Sequence, residues 1–247
     1  MRPLPGAVSV KAYVQSRKPD LTMKQKVARR KFAKEHLSWT TEDWKRVMFS
    51  GETIICKVGH FGRKIHYKAP EDQHLLPHQI KESKQDEGGE IMVWRCITYN
   101  GVGDASWLSE MVDSEAYVDI LRDYVLASRD WNELDPATFI FQQDNVPIHT
   151  SRLANEYLAE ANIAVLKWPA DSPDLNIIED IWAYIKQRLD GYRKNPTSLE
   201  ELWERVQDIW TTIPIEVIHN LYASLPRRMQ MVYKNRGGNT DTEVRRN

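Results

Sequence analysis

Apolar residues along this chain follow two periods, and the change from one to the other predicts the order of elements. Early on, the apolar runs are short and β-like: 46–50, 53–60, 64–68 and 91–99 (IMVWRCITY), then a tight turn at NGVG and a further strand near 104–108. From residue 114 the pattern alternates. SEAYVDILRDYVLAS (114–128) sets Tyr117, Ile120, Leu121, Tyr124 and Val125 on one helical face, TFIFQQD (138–144) reads as a short buried strand, 151–162 is helical, and IAVLKWP (163–169) is strand again. IIEDIWAYIKQRL (177–189) carries apolar residues at 178, 181, 182, 185 and 189, the stripe of a helix packed on a core. SLEELWERVQDIWTTI (198–213) repeats that stripe behind a capping box of Ser198 and Glu201, and a last helix covers 214–234. Ahead of the strands, MKQKVARRKFAKEHL (23–37) is a basic helix with Val27, Ala28, Phe32 and Leu37 as its apolar residues, and TTEDWKRV opens a short helix capped by Thr40 or Thr41. Several strands first, then strand and helix in turn, predicts an α/β fold, a mixed sheet flanked by helices.

The remaining segments read as connections. Residues 1–22, with Pro3, Pro5, Gly6 and Pro19, form an extended linker. The polar stretch 69–90, rich in Pro, Lys and Glu, is a long inserted loop of the kind that carries function. The tail 236–247 is expected to be disordered. No apolar run approaches the ~20 residues of a membrane span, and the N-terminus lacks a signal-peptide core. Two cysteines, Cys56 and Cys96, make no disulfide framework and fit a reducing compartment such as cytosol or nucleus. Most of the nine tryptophans, Trp94, Trp168, Trp182, Trp203 and Trp210 among them, fall in apolar-periodic segments and read as core.

Charge changes the picture more than composition does. The net charge of −1 hides 12 basic against 4 acidic residues in 1–46, 6 against 2 in 226–247, and 16 against 29 between them. Basic flanks around an acidic centre suit a protein that grips phosphates at its edges and collects cations inside. Arg29, Arg30, Lys31 and Lys34 on the first helix and Arg227 and Arg228 near the C-terminus are the candidate DNA contacts, with a solvated helix face as the alternative.

Two carboxylates stand where chemistry is expected. Asp144 ends the apolar strand FIFQQD, and Glu179 lies 34 intervening residues later, in the first turn of an amphipathic helix beside Ile178 and Trp182. A strand-end carboxylate and a helix-start carboxylate can meet at one hard divalent cation. They equally suit a turn cap and a favourable helix-terminus charge. Cys56, His60 and His66 lack the second close pair that a tetrahedral zinc site needs. His149 is open to a DNA contact, a site contact or a helix-start hydrogen bond.

The longer motifs WKRVMFSGETI, GGEIMVWRCITYNGVG, QQDNVPIHTSRLANEYL and LKWPADSPDLNIIEDIWAYIK together resemble the catalytic domain of Tc/mariner-type DDE transposases, from about residue 20 to 235. The resemblance implies an RNase H-like fold with a five-stranded mixed sheet. It implies three carboxylates holding two Mg²⁺ or Mn²⁺ ions, which drive cleavage at transposon ends and transfer of the freed 3′-OH into a TA target. It places the second metal ligand at Asp144 and the third at Glu179. It implies action in the nucleus on DNA, in a homodimer, with 69–90 where the family contacts a partner subunit or DNA. Residues 1–22 then correspond to the last remnant and linker of a helix-turn-helix domain, and 23–235 to the catalytic domain.

Against that pattern the chain departs in one decisive place. The family phrase F-S-D-E reads FSGE here, so the first catalytic aspartate falls on Gly51. Glycine has no side chain with which to coordinate. Glu52 is the possible substitute, but alternation along a strand sends it to the opposite sheet face unless a bulge turns it inward. Arg95 stands where the family has glycine, and Ile177 where it has proline. The leading expectation is a catalytic domain with lost or strongly reduced activity that keeps DNA binding, with Gly51→Asp recovering part of the cleavage and Arg95 the first suspect for further damage. An active nuclease or transposase using Glu52, and a protein-interaction scaffold without catalysis, remain the alternatives. Asp171 and Asp174 read as turn formers ahead of the helix.

Overall fold

The computed structural model describes residues 21–57, 89–108 and 112–240. Most of the expected loop at 69–90, the expected strand at 64–68, and His60 and His66 lie outside the described residues, as do 1–20 and the last seven residues.

Five strands form one sheet: β1 (Val47–Cys56), β2 (Glu90–Thr98), β3 (Gly101–Leu108), β4 (Ile140–Gln142) and β5 (Ala164–Val165), in the order β3-β2-β1-β4-β5. The β1–β2 and β2–β3 pairs are antiparallel, and β1–β4 and β4–β5 are parallel. Alternation sorts the strand residues onto two cores. Val47, Phe49 and Ile55 of β1 and Ile91, Val93 and Ile97 of β2 join one cluster. It is completed by α1 (Met23–Glu35), α2 (Thr41–Trp44), α6 (Ile178–Asp190), α7 (Leu199–Thr211) and α8 (Ile215–Lys234). Met48, Trp94, Cys96 and Phe141 face the other way, against α3 (Ser114–Ile120) and α5 (Arg152–Glu160). Trp94, Trp168, Trp182 and Trp210 are buried in these cores and Trp203 is partly buried against one of them.

Several boundaries move. The two short strands expected at 46–50 and 53–60 are one strand, because Gly51 keeps its place in the ladder opposite Arg95. The helix expected at 114–128 runs on through a π-helical turn, Leu121–Val125, into α4 (Leu126–Trp131). The strand expected at 163–169 pairs only over Ala164–Val165, because β4 offers it only Ile140 and Phe141; one more bond runs from the Leu166 N–H to the Phe141 carbonyl at 2.8 Å. Thr40 caps α2, through a box with Asp43. Ser198 caps α7, but the Glu201 carboxylate reaches back one residue further than a capping box requires, to the Thr197 N–H and hydroxyl.

Two expectations about the termini are corrected. On α1, Val27 is exposed while Arg29, Phe32 and Ala33 are buried. The start of the tail is fixed by that same Arg29, whose Nε donates to the Gly237 carbonyl at 3.0 Å. Gly237 has φ 89° and lies against the Lys26 carbonyl, where any Cβ would collide, so glycine is required there. Residues 236–240 are therefore part of the fold.

Candidate active site

Three stretches of chain are tied together at the middle of β1. Ser50 donates from its hydroxyl to the Gln142 carbonyl at 2.8 Å, fixing β1 to the end of β4. Asn176, on the turn before α6, donates from Nδ2 to the Ser50 carbonyl at 2.9 Å. These bonds bring Asp144, two residues past β4, and Glu179, in the first turn of α6, to the region of Gly51 and Glu52.

Asp144 is oriented by its own turn. Its Oδ1 accepts the Val146 N–H at 3.0 Å and lies 2.7 Å from His149 Nδ1. Burial alone would raise the Asp144 pKa, but His149 and the Val146 N–H outweigh it and hold the carboxyl below the ordinary range. His149 is 3% exposed, stacks on Tyr117 at 4.0 Å, and has Nε2 3.1 Å from Glu52 Oε1. That second contact lies off the line of an N–H bond, so it acts as a charge contact rather than an aligned hydrogen bond. Burial pulls the imidazole pKa down, and the two carboxylates more than reverse this, raising it to about 9. Tyr117 and Gln143 complete the support: the tyrosine hydroxyl donates to Gln143 Oε1 at 2.6 Å, and Gln143 Nε2 donates to the His149 carbonyl at 3.0 Å.

Glu179 is in a different state. Part of the side chain reaches solvent, yet protein packs around much of its carboxyl, and Asp180, Glu52 and Asp144 repel it. Burial first, then these like charges, raise its pKa to about 7, against the pull of the Lys186 ammonium. Lys186 donates to the Thr53 hydroxyl at 2.8 Å. Burial leads that shift and the neighbouring carboxylates add to it, so negative charge collects in this region. Among the described residues, however, no three His, Cys, Asp or Glu side chains are placed to hold a metal ion together.

A Cβ built on Gly51 points at α6, 3.0 Å from Ile178 Cγ2, 3.6 Å from Asn176 Nδ2 and 3.8 Å from Trp182 Nε1. Glu52 lies on the other face, as strand alternation demands, and no bulge interrupts the β1–β2 register there. It approaches Asp144 through His149, not through a twist of the strand.

The candidate DNA contacts divide. Arg30, Lys31, Lys34 and Arg227 are exposed. Arg29 is fully buried, forming a two-pronged pair with Asp174 at 2.7 and 2.8 Å. Arg228 is buried, bonded to Asp180 at 2.7 Å and to the Asp174 carbonyl at 2.9 Å. Both guanidiniums brace the turn that delivers Glu179 and are withdrawn from any phosphate. His149 is likewise enclosed between carboxylates, not presented to DNA. Asp174 is more than a turn former: it also accepts the Thr240 N–H at 2.8 Å. Lys186 went unremarked in the sequence, and Tyr117 was placed there only on the apolar face of a helix. The signal for Lys186 was its place seven residues after Glu179, on the same side of α6.

Comparison with known proteins agrees on one family. Residues 64–203 match the model of the DDE superfamily endonucleases. The Tcb2 transposase of Caenorhabditis briggsae is 31% identical over 90% of this chain and 80% of its own length. The Tc1 transposase of Caenorhabditis elegans is 31% identical over 87% of this chain and 77% of its own. Among solved structures, a Mos1 transposase paired-end complex with the left transposon end superposes with a TM-score of 0.78 at 22% identity, covering 94% of this chain and 68% of the other. The isolated Mos1 catalytic domain superposes with a TM-score of 0.69 at 19% identity, over 92% and 100%. At these identities the structural likeness is one of fold.

Proposed function

The chain belongs to the DDE superfamily endonucleases, in their Tc/mariner transposase branch, and from that premise we propose that it is a transposase catalytic domain that holds DNA but has lost most of its cleavage chemistry. One observation carries the reading. On this reading the position of the first family aspartate is Gly51, and the nearest atoms to a Cβ there belong to Ile178, Asn176 and Trp182, none of them an acid.

The remaining donors fit one hard cation better than two. Asp144 and Glu179 offer carboxylate oxygens near enough to feel each other's charge, and among the described residues no three such side chains are placed to hold one ion together. When bound, a pair of Mg²⁺ or Mn²⁺ ions supplies an activated water or hydroxyl and charge stabilisation on the phosphoryl oxygens. This chain's own part is to orient Asp144 through His149 and Val146, and to keep Glu179 beside Lys186. Phosphoryl transfer depends on positioning and charge stabilisation, so loss of a metal anchor is expected to lower the rate by about 10²–10³ or more.

DNA binding rests on the exposed Arg30, Lys31, Lys34 and Arg227, and on Mos1 structures solved with transposon ends. We place its action in the nucleus, with two copies joined over two DNA ends. The test supplies a helix-turn-helix domain and matching terminal repeats, then measures Mn²⁺-dependent strand nicking beside an active Tc1-type enzyme. We expect salt-sensitive binding without nicking. Nicking at the active enzyme's rate overturns the reading, and absence of any DNA binding favours a scaffold. A second reading has one observation in its favour: the Glu52 carboxylate shares His149 with Asp144. It predicts residual nicking that Glu52→Gln abolishes.

A further inference from the structure

Three buried N–H-bearing nitrogens on the α6–α7 face of β1 and β2 have no hydrogen-bond partner among the described residues: Arg95 Nε, Arg95 Nη1 and Trp182 Nε1. We propose that they form, with the bare face of Gly51, a ready-made carboxylate receptor, so that an acid introduced at position 51 is captured by Arg95 and does not become a metal ligand while Arg95 remains. The inference rests on the reading of Gly51 as the missing ligand position and goes beyond it, because it makes Arg95 a second, coupled barrier to the chemistry.

Register puts the two positions together. Gly51 and Arg95 are direct cross-strand partners in an unshifted stretch of the β1–β2 ladder. Cβ positions of such partners lie about 4.5–5.5 Å apart on the same face. Both point toward the helices: the Gly51 Cβ direction meets α6, and the Arg95 guanidinium meets α7. A carboxylate on a one-carbon stem at 51 and a guanidinium on a three-carbon stem at 95 are within reach of each other.

The guanidinium is short of partners. Arg95 is 0% exposed, and among the described residues only its Nη2 is hydrogen-bonded, to Gln207 Oε1 at 2.5 Å. Around it lie indole faces, Trp210 at 4.4 Å and Trp203 at 5.1 Å from the guanidinium carbon, and the Asp104 carboxylate acts on it as a nearby charge. Rings attract the cation but offer no lone pair to Nε or Nη1. Burial accordingly pulls the Arg95 pKa down to about 9. A buried cation with idle donors is the group for which a planar carboxylate is the best geometric match.

The space on the other side is also suitable. The one tight contact of a Cβ at 51 is the β-branch methyl of buried Ile178 at 3.0 Å, which must give by a few tenths of an ångström to admit it. Trp182 Nε1, 3.8 Å from that Cβ, supplies a further donor to the same carboxylate. A carboxylate there therefore meets a fixed cation and an idle indole N–H before any soluble ion arrives.

The experiment uses the full chain in four forms: parent, Gly51→Asp, Arg95→Met and the double variant, the methionine filling the arginine's channel without charge. Mn²⁺ affinity is read by calorimetry, and stability by urea unfolding as a double-mutant cycle. We expect Gly51→Asp alone to raise the urea midpoint and leave Mn²⁺ affinity within about twofold of the parent. The double variant should bind Mn²⁺ about tenfold tighter or more, a gain of at least ~1.4 kcal/mol. If Gly51→Asp alone tightens Mn²⁺ as much as the double variant does, or the cycle shows no coupling, the inference is wrong. Arg95→Gln repeats the cycle should the methionine variant fold poorly. A parent that already binds two Mn²⁺ ions would sink the impaired-transposase reading instead, which keeps the two failures apart.

Discussion

Arg29 and Arg95 are both fully buried arginines, and they could hardly be more differently treated. Arg29 meets Asp174 with both Nη groups and gives Nε to the Gly237 carbonyl. Among the described residues Arg95 has one hydrogen bond and two idle nitrogens. The difference lies in what each cation faces: a two-pronged carboxylate in one case, and in the other a glycine across the ladder, with Asp104 acting as a nearby charge. Around Arg29 the turn that delivers Glu179 is clamped to α1, α8 and the tail. Around Arg95 a buried cation stands across the ladder from a residue without a side chain. On the proposed reading, the framework that would present the catalytic groups is kept while the first ligand position carries no acid.

Breaking the satisfied region should cost most. Asp174→Ala leaves the Arg29 guanidinium buried without a counter-charge, and we expect about 3–5 kcal/mol of lost stability in urea unfolding. The same pair sets an acid limit. Burial would raise the Asp174 pKa, but Arg29 and the Thr240 N–H outweigh it, holding the carboxyl below its unfolded value of 3.8. The sign follows: this contribution is complete above pH 3.8 and is lost as pH falls through the lower native value. The stability gap between parent and Asp174→Asn should therefore narrow as the pH is taken down through that window, and a gap independent of pH would show that the pair is not ionised as described.

Relieving the unsatisfied region should act in the opposite direction and more weakly. Arg95→Met removes a buried charge and two idle donors, each worth about 1–3 kcal/mol of penalty, against a cation–π and hydrogen-bond gain of similar total. We expect a net gain of about 1 kcal/mol in urea unfolding. A loss as large as that of Asp174→Ala would mean that the indole cage satisfies Arg95 fully and that the contrast between the two arginines is false.

The contrast also separates what the sequence could disclose from what it could not. The stripes of α6 and α7 are local and periodic, and their apolar positions predicted the buried face correctly. Asp144 and Glu179 were reached from a strand end and a helix start, and β4 and α6 do place them near each other's charge. Long-range pairing was beyond such reasoning. Gly51 and Arg95 were each visible as departures, but only the ladder register makes them neighbours. Arg29 sits in a run of basic residues that looks uniformly solvated. Its partner Asp174 is 145 positions away, so nothing local distinguishes it from exposed Arg30. His149 was open between three roles because its neighbours Glu52 and Tyr117 arrive from distant elements.

The smallest effect on stability should come from the exposed basic residues of α1, and it sharpens the comparison on the same helix. Arg30, Lys31 and Lys34 are exposed, within about a turn and a half of buried Arg29. Replacing all three with glutamine should change stability by no more than about 0.5 kcal/mol. If they lie on DNA phosphates, log K should fall less steeply with log salt, by about 0.9 for each contact removed on duplex DNA. Asp174→Ala should instead weaken binding only through unfolding, leaving the salt slope of the folded fraction intact. A triple variant with an unchanged slope would move the DNA-facing surface away from α1, toward Arg227, while leaving the Arg29 clamp as the reason this helix is held where it is.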